Sequence, residues 1–266
     1  MIPDGLHHVG NATHLIVLDG VRVLTDPWLR EPADRAIVHR LPPAPLPTDP
    51  DLVLITHAHE DHFDPSALAQ LDRTATVVCP MGRILDEVHG LGFAVARGVA
   101  PGDTLEAHGL AIDVVRGKHN IPEVCFRIAA GDRAVFFGGD SRRSKDIDAL
   151  ARTKPTPVVV LPGERSRLFG RRYVMSPREA IALAQRFGAE LAILSHHESS
   201  VIRRRLVRML LQIQPPMPEE FPPWFRIPAP GDFIAFPWTA SAARSDQCTS
   251  TLGGARCSLA SQVPPA

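Results

Sequence analysis

The chain has 266 residues, 44% of them hydrophobic, which allows one large domain or two small ones. Its 29 basic and 29 acidic side chains give a formal net charge of zero, which argues against charge-driven binding to duplex DNA or an anionic membrane. The sequence has no apolar run near the roughly 20 residues that span a bilayer, and residues 1–5 lack the basic and apolar regions of a signal peptide. We therefore expect a cytoplasmic protein.

Four cysteines are too few for a disulfide framework in a chain of this length. Cys79 and Cys125 lie within apolar, strand-like stretches, and we expect both to be small buried hydrophobic residues. Cys248 and Cys257 lie in a polar stretch, where the sequence does not favour a bridge or a metal clip. The cysteine pattern gives little support to redox chemistry.

Predicted strands and helices alternate over the first hundred residues. Asp19-Gly20, between two apolar stretches, is typical of a two-residue hairpin turn. Asp64-Pro65 predicts the N-cap and the first residue of a helix. In chain order, the predicted elements are strands over 14–18 and 21–25, an extended surface loop with five prolines over 40–50, a strand over 51–55, a helix over 66–71, a strand over 75–79 and a helix over 82–89 that Gly90 ends.

The middle of the chain, residues 93–138, is rich in predicted strands, with Gly131-Asp132 as a second hairpin turn. Ser176 and Glu179 form a capping box that opens a helix ending near Gly188. The remaining predicted elements are strands over 110–115, 124–130, 134–137, 157–161, 191–195 and 233–236, a helix over 199–213 and a proline-rich arm over 214–238. We expect the helix over 199–213 to face the core with an apolar stripe and to expose its basic residues to solvent on the opposite face. We assign residues 1–238 to one domain and predict a disordered tail over 239–266.

The most informative stretch is 56–62, in which three histidines and an aspartate follow an apolar strand. Side chains two residues apart in an extended segment point the same way, so His57 and His59 can converge on one metal ion. If the chain then turns into a helix, Asp61 and His62 face a second ion beside the first. Imidazole and carboxylate are the ligands that zinc prefers where a coordination position stays open for chemistry. The pattern predicts a metal-dependent hydrolase.

A two-metal site needs more ligands, and three further predicted strands end in suitable residues. His119 follows the strand over 110–115, Asp140 follows Gly138-Gly139 after another strand, and His196 and His197 come directly after a third. A lone histidine at a strand end is usually a satisfied polar residue. Ligand residues at four strand ends are hard to explain as coincidence, because one edge of the sheets could gather them.

This order of residues, with His-Ala-His-Glu-Asp-His at 57–62, resembles the metallo-β-lactamase superfamily. Shorter stretches at 10–13, 24–27, 101–104 and 175–180 resemble a subgroup related to ascorbate-6-phosphate lactonase and N-acylphosphatidylethanolamine phospholipase D. The resemblance extends over about residues 7–236. It implies an α/β (α+β) fold, a four-layer αββα sandwich, with the metals at one edge between the two sheets.

The resemblance also implies a binuclear site with two divalent metal ions, Zn²⁺ first and Mn²⁺ or Fe as alternatives. Asp140 would bridge the ions, and Asp26 would orient a ligand histidine. The implied ligands are His57, His59 and His119 for the first metal, and Asp61, His62 and His196 for the second.

Two positions depart from the subgroup's pattern. The subgroup usually has histidine where this chain has Asn11, so this chain lacks an imidazole at that position. The final ligand is usually followed by an aromatic residue, whereas His197 follows His196, which leaves the choice between the two open. We favour His196 because of its distance from the strand.

The implied chemistry is attack of a metal-bridged hydroxide on an ester, lactone or phosphodiester. Two divalent ions side by side lower the pKa of a bridging water, so hydroxide exists at neutral pH. Asp61 is the expected catalytic residue, since its spare carboxylate oxygen could orient the nucleophile and shuttle its proton. A serine or cysteine nucleophile is not required.

Arginines near the predicted ligands bear on the substrate. Arg142 and Arg143 directly follow Asp140, and Arg167 lies in a loop before the Ser176 helix. Guanidinium groups bind phosphate and carboxylate in bidentate fashion, so together these arginines favour a small anionic substrate. For any one of them alone, a solvated loop charge is the simpler interpretation.

Two other functions compete with the hydrolase prediction. One is an iron-containing redox protein of the same fold, although the chain has no added electron-transfer module. The other is a nuclease of the superfamily, for which 266 residues leave little room for an inserted domain. We expect a small-molecule substrate, no nucleic acid and no stable membrane insertion, and we leave a homo-oligomer open.

Overall fold

The computed structural model describes residues 3–29, 37–38, 41–163, 167–168, 170–197, 201–202, 211–212 and 221–238. In chain order, the first half holds β1 (Gly5–Gly10), β2 (Thr13–Leu18), β3 (Val21–Thr25), β4 (Ile37–Val38), β5 (Leu52–Leu54), α1 (Pro65–Leu68), β6 (Thr76–Pro80), α2 (Arg83–Gly90), β7 (Val95–Val99), β8 (Thr104–Ala107) and β9 (Leu110–Arg116). The second half holds β10 (Val124–Ala130), β11 (Arg133–Phe137), α3 (Lys145–Thr153), β12 (Val158–Pro162), β13 (Arg167–Leu168), β14 (Arg171–Arg172), α4 (Pro177–Phe187), β15 (Leu191–Ser195), β16 (Val201–Ile202), β17 (Leu211–Gln212), β18 (Phe225–Arg226) and β19 (Phe233–Ala235).

Two seven-stranded mixed sheets form the body of the molecule. The first has the order β19-β1-β2-β3-β5-β6-β7, and the second has the order β18-β15-β12-β11-β10-β9-β8. The antiparallel hairpins lie at the β1–β3 and β8–β11 ends, whereas β3, β5, β6 and β7 are parallel, as are β11, β12, β15 and β18. Parallel strands end at the same edge of a sheet, so each sheet has one edge that collects strand carboxyl ends.

The main core lies between the two sheets. Ile16 and Leu54 from the first sheet meet Phe126 and Phe137 from the second in one cluster of fully buried apolar side chains. Central parallel strands are covered on both faces and therefore consist of apolar residues without alternation. All five residues of β12 are buried, as are all five of β15.

Helices cover the outer face of each sheet. Ala180, Leu183 and Phe187 of α4 pack with α3 residues on the second sheet. Leu68 and Val88, from α1 and α2, pack on the first sheet. These layers confirm the expected αββα sandwich.

Turn and cap chemistry in the sequence correctly predicted several element boundaries. Asp19-Gly20 joins β2 to β3 with φ of 54° and 79°, as a two-residue hairpin turn requires. Asp64 accepts a hydrogen bond from the backbone of Ser66 and caps α1, which ends at Leu68, earlier than predicted. Cys79 and Cys125 are buried, as expected.

The capping box of α4 is present as predicted. The Ser176 hydroxyl accepts from the backbone N–H of Glu179, and the Glu179 carboxylate accepts from the backbone N–H of Ser176. At the other end, Gly188 adopts the left-handed conformation with φ of 68°. Sequence analysis missed α3, although Ser144 caps it by accepting from the backbone N–H of Ile147.

The helix predicted over 199–213 is wrong where the structure describes that stretch. β16 pairs with β4, and β17 pairs with β13. Val201 and Ile202 are β-branched, and such residues favour a strand when a partner strand is available. The rest of the predicted helix, and the tail predicted over 239–266, lie outside the described residues. Among the helices that are described, none has the length and apolarity to cross a bilayer.

We expect Gly188→Ala and Gly90→Ala to have opposite effects on the free energy of unfolding. A Cβ at either position would meet no atom within 4 Å, but only Gly188 has a positive φ. Alanine at Gly188 should therefore cost about 1 kcal/mol. Alanine at Gly90, which is the last residue of α2, should stabilise by roughly 0.5–1 kcal/mol. Urea unfolding of both variants measures the difference, and equal shifts would contradict it.

Candidate metal centre

The predicted ligand residues come together at the carboxyl ends of the strands. His57 follows β5 in the first sheet, and His119, Asp140 and His196 follow β9, β11 and β15 in the second. β9 and β11 are both antiparallel to β10, so they run in the same direction as each other. All seven predicted ligands belong to one of two groups of side chains that could each hold a metal ion.

The first group consists of three imidazoles and a carboxylate. His59 Nδ1 lies 2.9 Å from His57 Nε2 and 3.2 Å from His119 Nε2. Asp140 Oδ2 lies 3.8 Å from His119 Nε2. One potential ligand atom from each of the four residues lies within 4.8 Å of the others.

The second group consists of Asp61, His62 and His196. One atom from each again lies within 4.8 Å of the others. His196 Nε2 lies 3.6 Å from Asp61 Oδ2, and the rings of His62 and His196 stack with their centroids 5.7 Å apart. The structure therefore brings together the residues that the family pattern grouped, with Asp140 falling in the first group.

Asp140 lies between the two groups. Besides His119, its carboxylate approaches His62 Nε2 at 3.3 Å and His196 Nε2 at 3.6 Å. The residue before it is Gly139, with φ of 53°, and a Cβ there would lie 2.7 Å from Glu123 Oε1. The missing side chain thus lets the backbone carry Asp140 between both groups.

Asp26 ties the end of β3 to the histidine-rich segment, in the position expected of a residue that orients a ligand. Its carboxylate accepts hydrogen bonds from the backbone N–H and the hydroxyl of Thr56, each at 2.7 Å. It also lies 2.7 Å from His62 Nδ1. These contacts leave His62 Nε2 to face Asp140.

His196 and His197 diverge, and this decides which of them faces the site. His196 has φ of 51°, and its ring turns towards Asp61 and Asp140. The Nε2 atom of His197 instead lies 2.8 Å from the carbonyl of Pro228, and its ring stacks on His8. Only His196 belongs to a candidate metal group.

Sequence analysis missed Glu123. It is buried, its Oε1 accepts the backbone N–H of Asp140 at 2.7 Å, and it lies 3.5 Å from His57 Nδ1. Burial, followed by repulsion from Asp140, raises the pKa of its carboxyl well above the ordinary value. No spacing pattern marked this residue, since it precedes a strand rather than following one.

Tyr173 was also missed, and Asn11 was noted only as a departure from the subgroup's pattern. The ring of Tyr173 stacks on His59 with centroids 6.2 Å apart and meets His119 edge-on at 4.8 Å. Asn11 Nδ2 donates to the backbone carbonyl of Asp61 at 3.0 Å. The chain has only one tyrosine, and that rarity was the available signal for Tyr173. The hydrogen bond from Asn11 holds the backbone of Asp61 in place.

Burial keeps the first group of imidazoles neutral. It lowers the pKa of His57 well below the ordinary value, lowers that of His59, and brings that of His119 to about 4. At neutral pH these rings carry a free lone pair, which is the form that binds a metal.

The buried carboxylate of Asp140 stays ionised because positive charge lies nearby. Burial alone would raise the pKa of Asp140, but His196 and His62 outweigh it and hold that pKa well below the ordinary value. Burial alone would lower the pKa of His62, but Asp140 and Asp26 outweigh it and raise that pKa well above the ordinary value. An imidazolium or a metal cation can supply this charge.

The donor set fits divalent metal ions. His62 Nε2 and Asp140 Oδ1 are both buried and lie 3.3 Å apart, yet neither forms a hydrogen bond of normal geometry in the described part of the chain, and a cation would satisfy both. His59 Nδ1 faces two other ring nitrogens, although one N–H can serve only one of them. Tetrahedral Zn–N bonds of about 2.0–2.1 Å would place ligand atoms roughly 3.3 Å apart, close to these spacings.

The three predicted anion-binding arginines differ in their contacts. Arg143 Nε donates to both oxygens of Asp148, at 2.8 and 3.1 Å. Arg167 is exposed and donates to the carbonyl of Gly170. Arg142 is half-buried, and its Nε has no hydrogen-bond partner among the residues that the structure describes. These contacts favour Arg142, while the role of all three remains a prediction.

Comparison with known proteins bears on the fold and the family. A family model described as a beta-lactamase superfamily domain matches residues 21–197. A metal-dependent hydrolase of Methanopyrus kandleri is 29% identical over 201 residues, which cover 71% of this chain and 82% of that protein.

Two solved structures share the fold. An isothiocyanate hydrolase from Delia radicum gut bacteria aligns with a TM-score of 0.68 at 20% identity, covering 87% of this chain and 98% of that one. A possible metal-dependent hydrolase from Veillonella parvula aligns with a TM-score of 0.71 at 16% identity, covering 88% and 100%. The lactonase-like and phosphodiesterase-like subgroup stays a prediction. The family model covers more than half of the chain, and the protein therefore belongs to the beta-lactamase superfamily as a metal-dependent hydrolase.

Proposed function

We propose that this protein hydrolyses an ester, lactone or phosphodiester of a small anionic substrate with two divalent cations, zinc first and manganese or iron as alternatives. The observation that carries the proposal is the convergence of seven nitrogen and oxygen donors in two adjoining groups. Asp140 lies between the groups, which is the arrangement that a shared ligand requires.

Each group would hold one cation. Bound there, divalent cations lower the pKa of water and polarise a carbonyl or phosphoryl oxygen, which provides a nucleophile at neutral pH. Asp140 would be shared, and Asp26 would orient His62 through its Nδ1. Tyr173 packs on two rings of the first group and limits their rotation.

Asp61 is the group that we assign to proton transfer. It is largely buried, with 7% of the residue exposed, and Asn11 holds its backbone carbonyl. As the attacking oxygen forms its bond to carbon or phosphorus, Asp61 accepts the proton that the water loses. It returns this proton to the leaving oxygen as the scissile bond breaks, so the group ends the cycle as it began.

Arg142 is the residue that we assign to the substrate's anionic group. Its backbone N–H donates to the carbonyl of Lys118, which places it beside the segment that carries His119. Its half-buried guanidinium has no carboxylate partner in the described part of the chain, unlike that of Arg143. A guanidinium in that state favours a carboxylate or phosphate ligand.

His59→Ala and Asp140→Ala should each lose metal and activity. Elemental analysis of the wild-type protein should give about two metal ions per chain. In both variants we expect metal content to fall, and turnover of bis-p-nitrophenyl phosphate, lactones and thioesters to drop to background. The matched control is His89→Ala, because His89 is exposed on α2. Unchanged metal content in both site variants would contradict the ligand assignments.

Asp26→Asn should weaken metal binding about 10–100-fold while leaving the fold intact. The new amide oxygen can still accept from Thr56, but the amide nitrogen would face the N–H of His62, so His62 loses its fixed orientation. Competition with a chromogenic chelator measures the affinity, and Asp86→Asn, at an exposed position on α2, is the control. Equal affinities in Asp26→Asn and wild type would remove the orienting role.

Arg142→Ala should raise KM for an anionic substrate about 10–100-fold, since a charge-assisted hydrogen bond is lost. Steady-state kinetics on a carboxylate-bearing lactone and its carboxamide analogue separate charge from shape, because only the carboxylate should respond. Arg142→Lys should recover part of the loss, and exposed Arg152→Ala on α3 is the control. Equal KM changes for both lactones would count against anion recognition by Arg142.

A further inference from the structure

We propose that a cavity beside His119 binds an apolar acyl group of the substrate, so that the preferred substrate is an ester or lactone that carries an aliphatic chain as well as the anionic group assigned to Arg142. This inference rests on the proposed function and specifies its substrate. The cavity has a volume of about 460 Å³ and lies between the ends of β6 and β7 and the loop 117–123. That volume is within the range of small-molecule sites.

The walls of the cavity are mainly apolar. Its polar and ionisable lining residues are His119, Asn120, Arg116, which lies 3.8 Å from Asp146, and Glu123, which is buried and accepts the Asp140 N–H. A cavity with apolar walls and few polar groups selects an apolar ligand. The apolar lining residues include Pro80, Met81, Val99, Ile121, Pro122 and Val124.

Met81 is an exposed part of this wall. With 64% of its surface exposed, it has the greatest exposure of the large hydrophobic residues that the structure describes. The side chain of Met81 packs close to the backbone of Gly98, where an added Cβ would lie 3.1 Å from Met81 Cγ. Methionine is flexible and adapts to apolar chains of different shape. An acyl chain in the cavity would cover this side chain.

The cavity adjoins the candidate metal centre through His119. Nε2 of this ring faces His59, in the first metal group, while the residue itself lines the cavity. Glu123 also connects the cavity to the candidate metal centre, since it lines the cavity and accepts a hydrogen bond from the backbone N–H of Asp140. A substrate whose reacting bond lies at the metal groups would therefore have its apolar part next to this wall.

Two other described cavities fit an apolar group less well. One of about 250 Å³ contains Glu60, Asp64, Arg83 and Glu87, so four of its seven lining residues are charged. The other, of about 580 Å³ beside α3, contains three aspartates and no residue of the metal groups. Of these three described cavities, only the one beside His119 combines apolar walls with a residue of a candidate metal group.

The experiment measures kcat/KM of the metal-loaded protein on p-nitrophenyl esters from acetate to octanoate. We expect kcat/KM to rise about fourfold per methylene until the cavity is filled. Met81→Asp places a charge in the wall and should lower kcat/KM for octanoate far more than for acetate, which flattens the rise. The matched control is Val95→Asp, because Val95 is exposed at the other end of β7 and does not line the cavity.

A binding measurement separates this inference from the proposed function. Calorimetry with acetate, butyrate and octanoate should show affinity that increases with chain length in wild type and Val95→Asp, and much less so in Met81→Asp. Length-dependent binding without turnover of any ester or thioester would support the cavity and contradict the acyl-hydrolase assignment. Turnover that is independent of chain length and of Met81→Asp would support hydrolysis and overturn the cavity. Ile121→Trp is a second variant, and we expect it to shift the preferred chain to shorter lengths.

Discussion

The site depends on one buried carboxylate that is not itself a candidate ligand. The Asp26 carboxylate accepts hydrogen bonds from the backbone N–H and the hydroxyl of Thr56, and it also lies beside His62 Nδ1. Each of these three distances is 2.7 Å. The backbone N–H of Asp26 donates to the carbonyl of Leu54. β3 and β5 are parallel neighbours, so these bonds fix the start of the histidine-rich segment to the strand edge. Without them, His57 and His62 would follow a loop with no defined orientation.

Backbone strain is concentrated around this edge. Among the described residues, five other than glycine have positive φ, and three of these, Asn11, Asp26 and His196, belong to the site. Left-handed backbone costs about 1–2 kcal/mol for residues with a Cβ, so the surrounding packing must hold it in place. At His196 the result is direct, because the ring faces Asp61 and Asp140 while the next residue, His197, faces the carbonyl of Pro228.

Sequence analysis predicted correctly those features that are determined by residues close together in the chain. The Asp19-Gly20 turn and the Ser176 capping box are set by residues a few positions apart, and both were predicted correctly. The sequence could indicate which residues come together in the two candidate metal groups, because they lie at the ends of strands and match a family pattern. The helix over 199–213 failed because β16 and β17 pair with residues far along the chain, and a helical stripe of apolar residues carries no information about such partners.

Glu123 was unpredictable for the same reason, and it joins the parts of the site. It lies 3.5 Å from His57 Nδ1, it holds the backbone N–H of Asp140, and it lines the cavity beside His119. Gly139 makes room for it, since a Cβ there would lie 2.7 Å from the Glu123 carboxylate. A buried carboxyl is costly unless it is hydrogen-bonded, and the bond from the Asp140 N–H meets part of that cost. Glu123 links the backbone of Asp140 to the cavity beside His119, so in the proposed reaction one side chain would help to position both the reacting bond and the acyl chain.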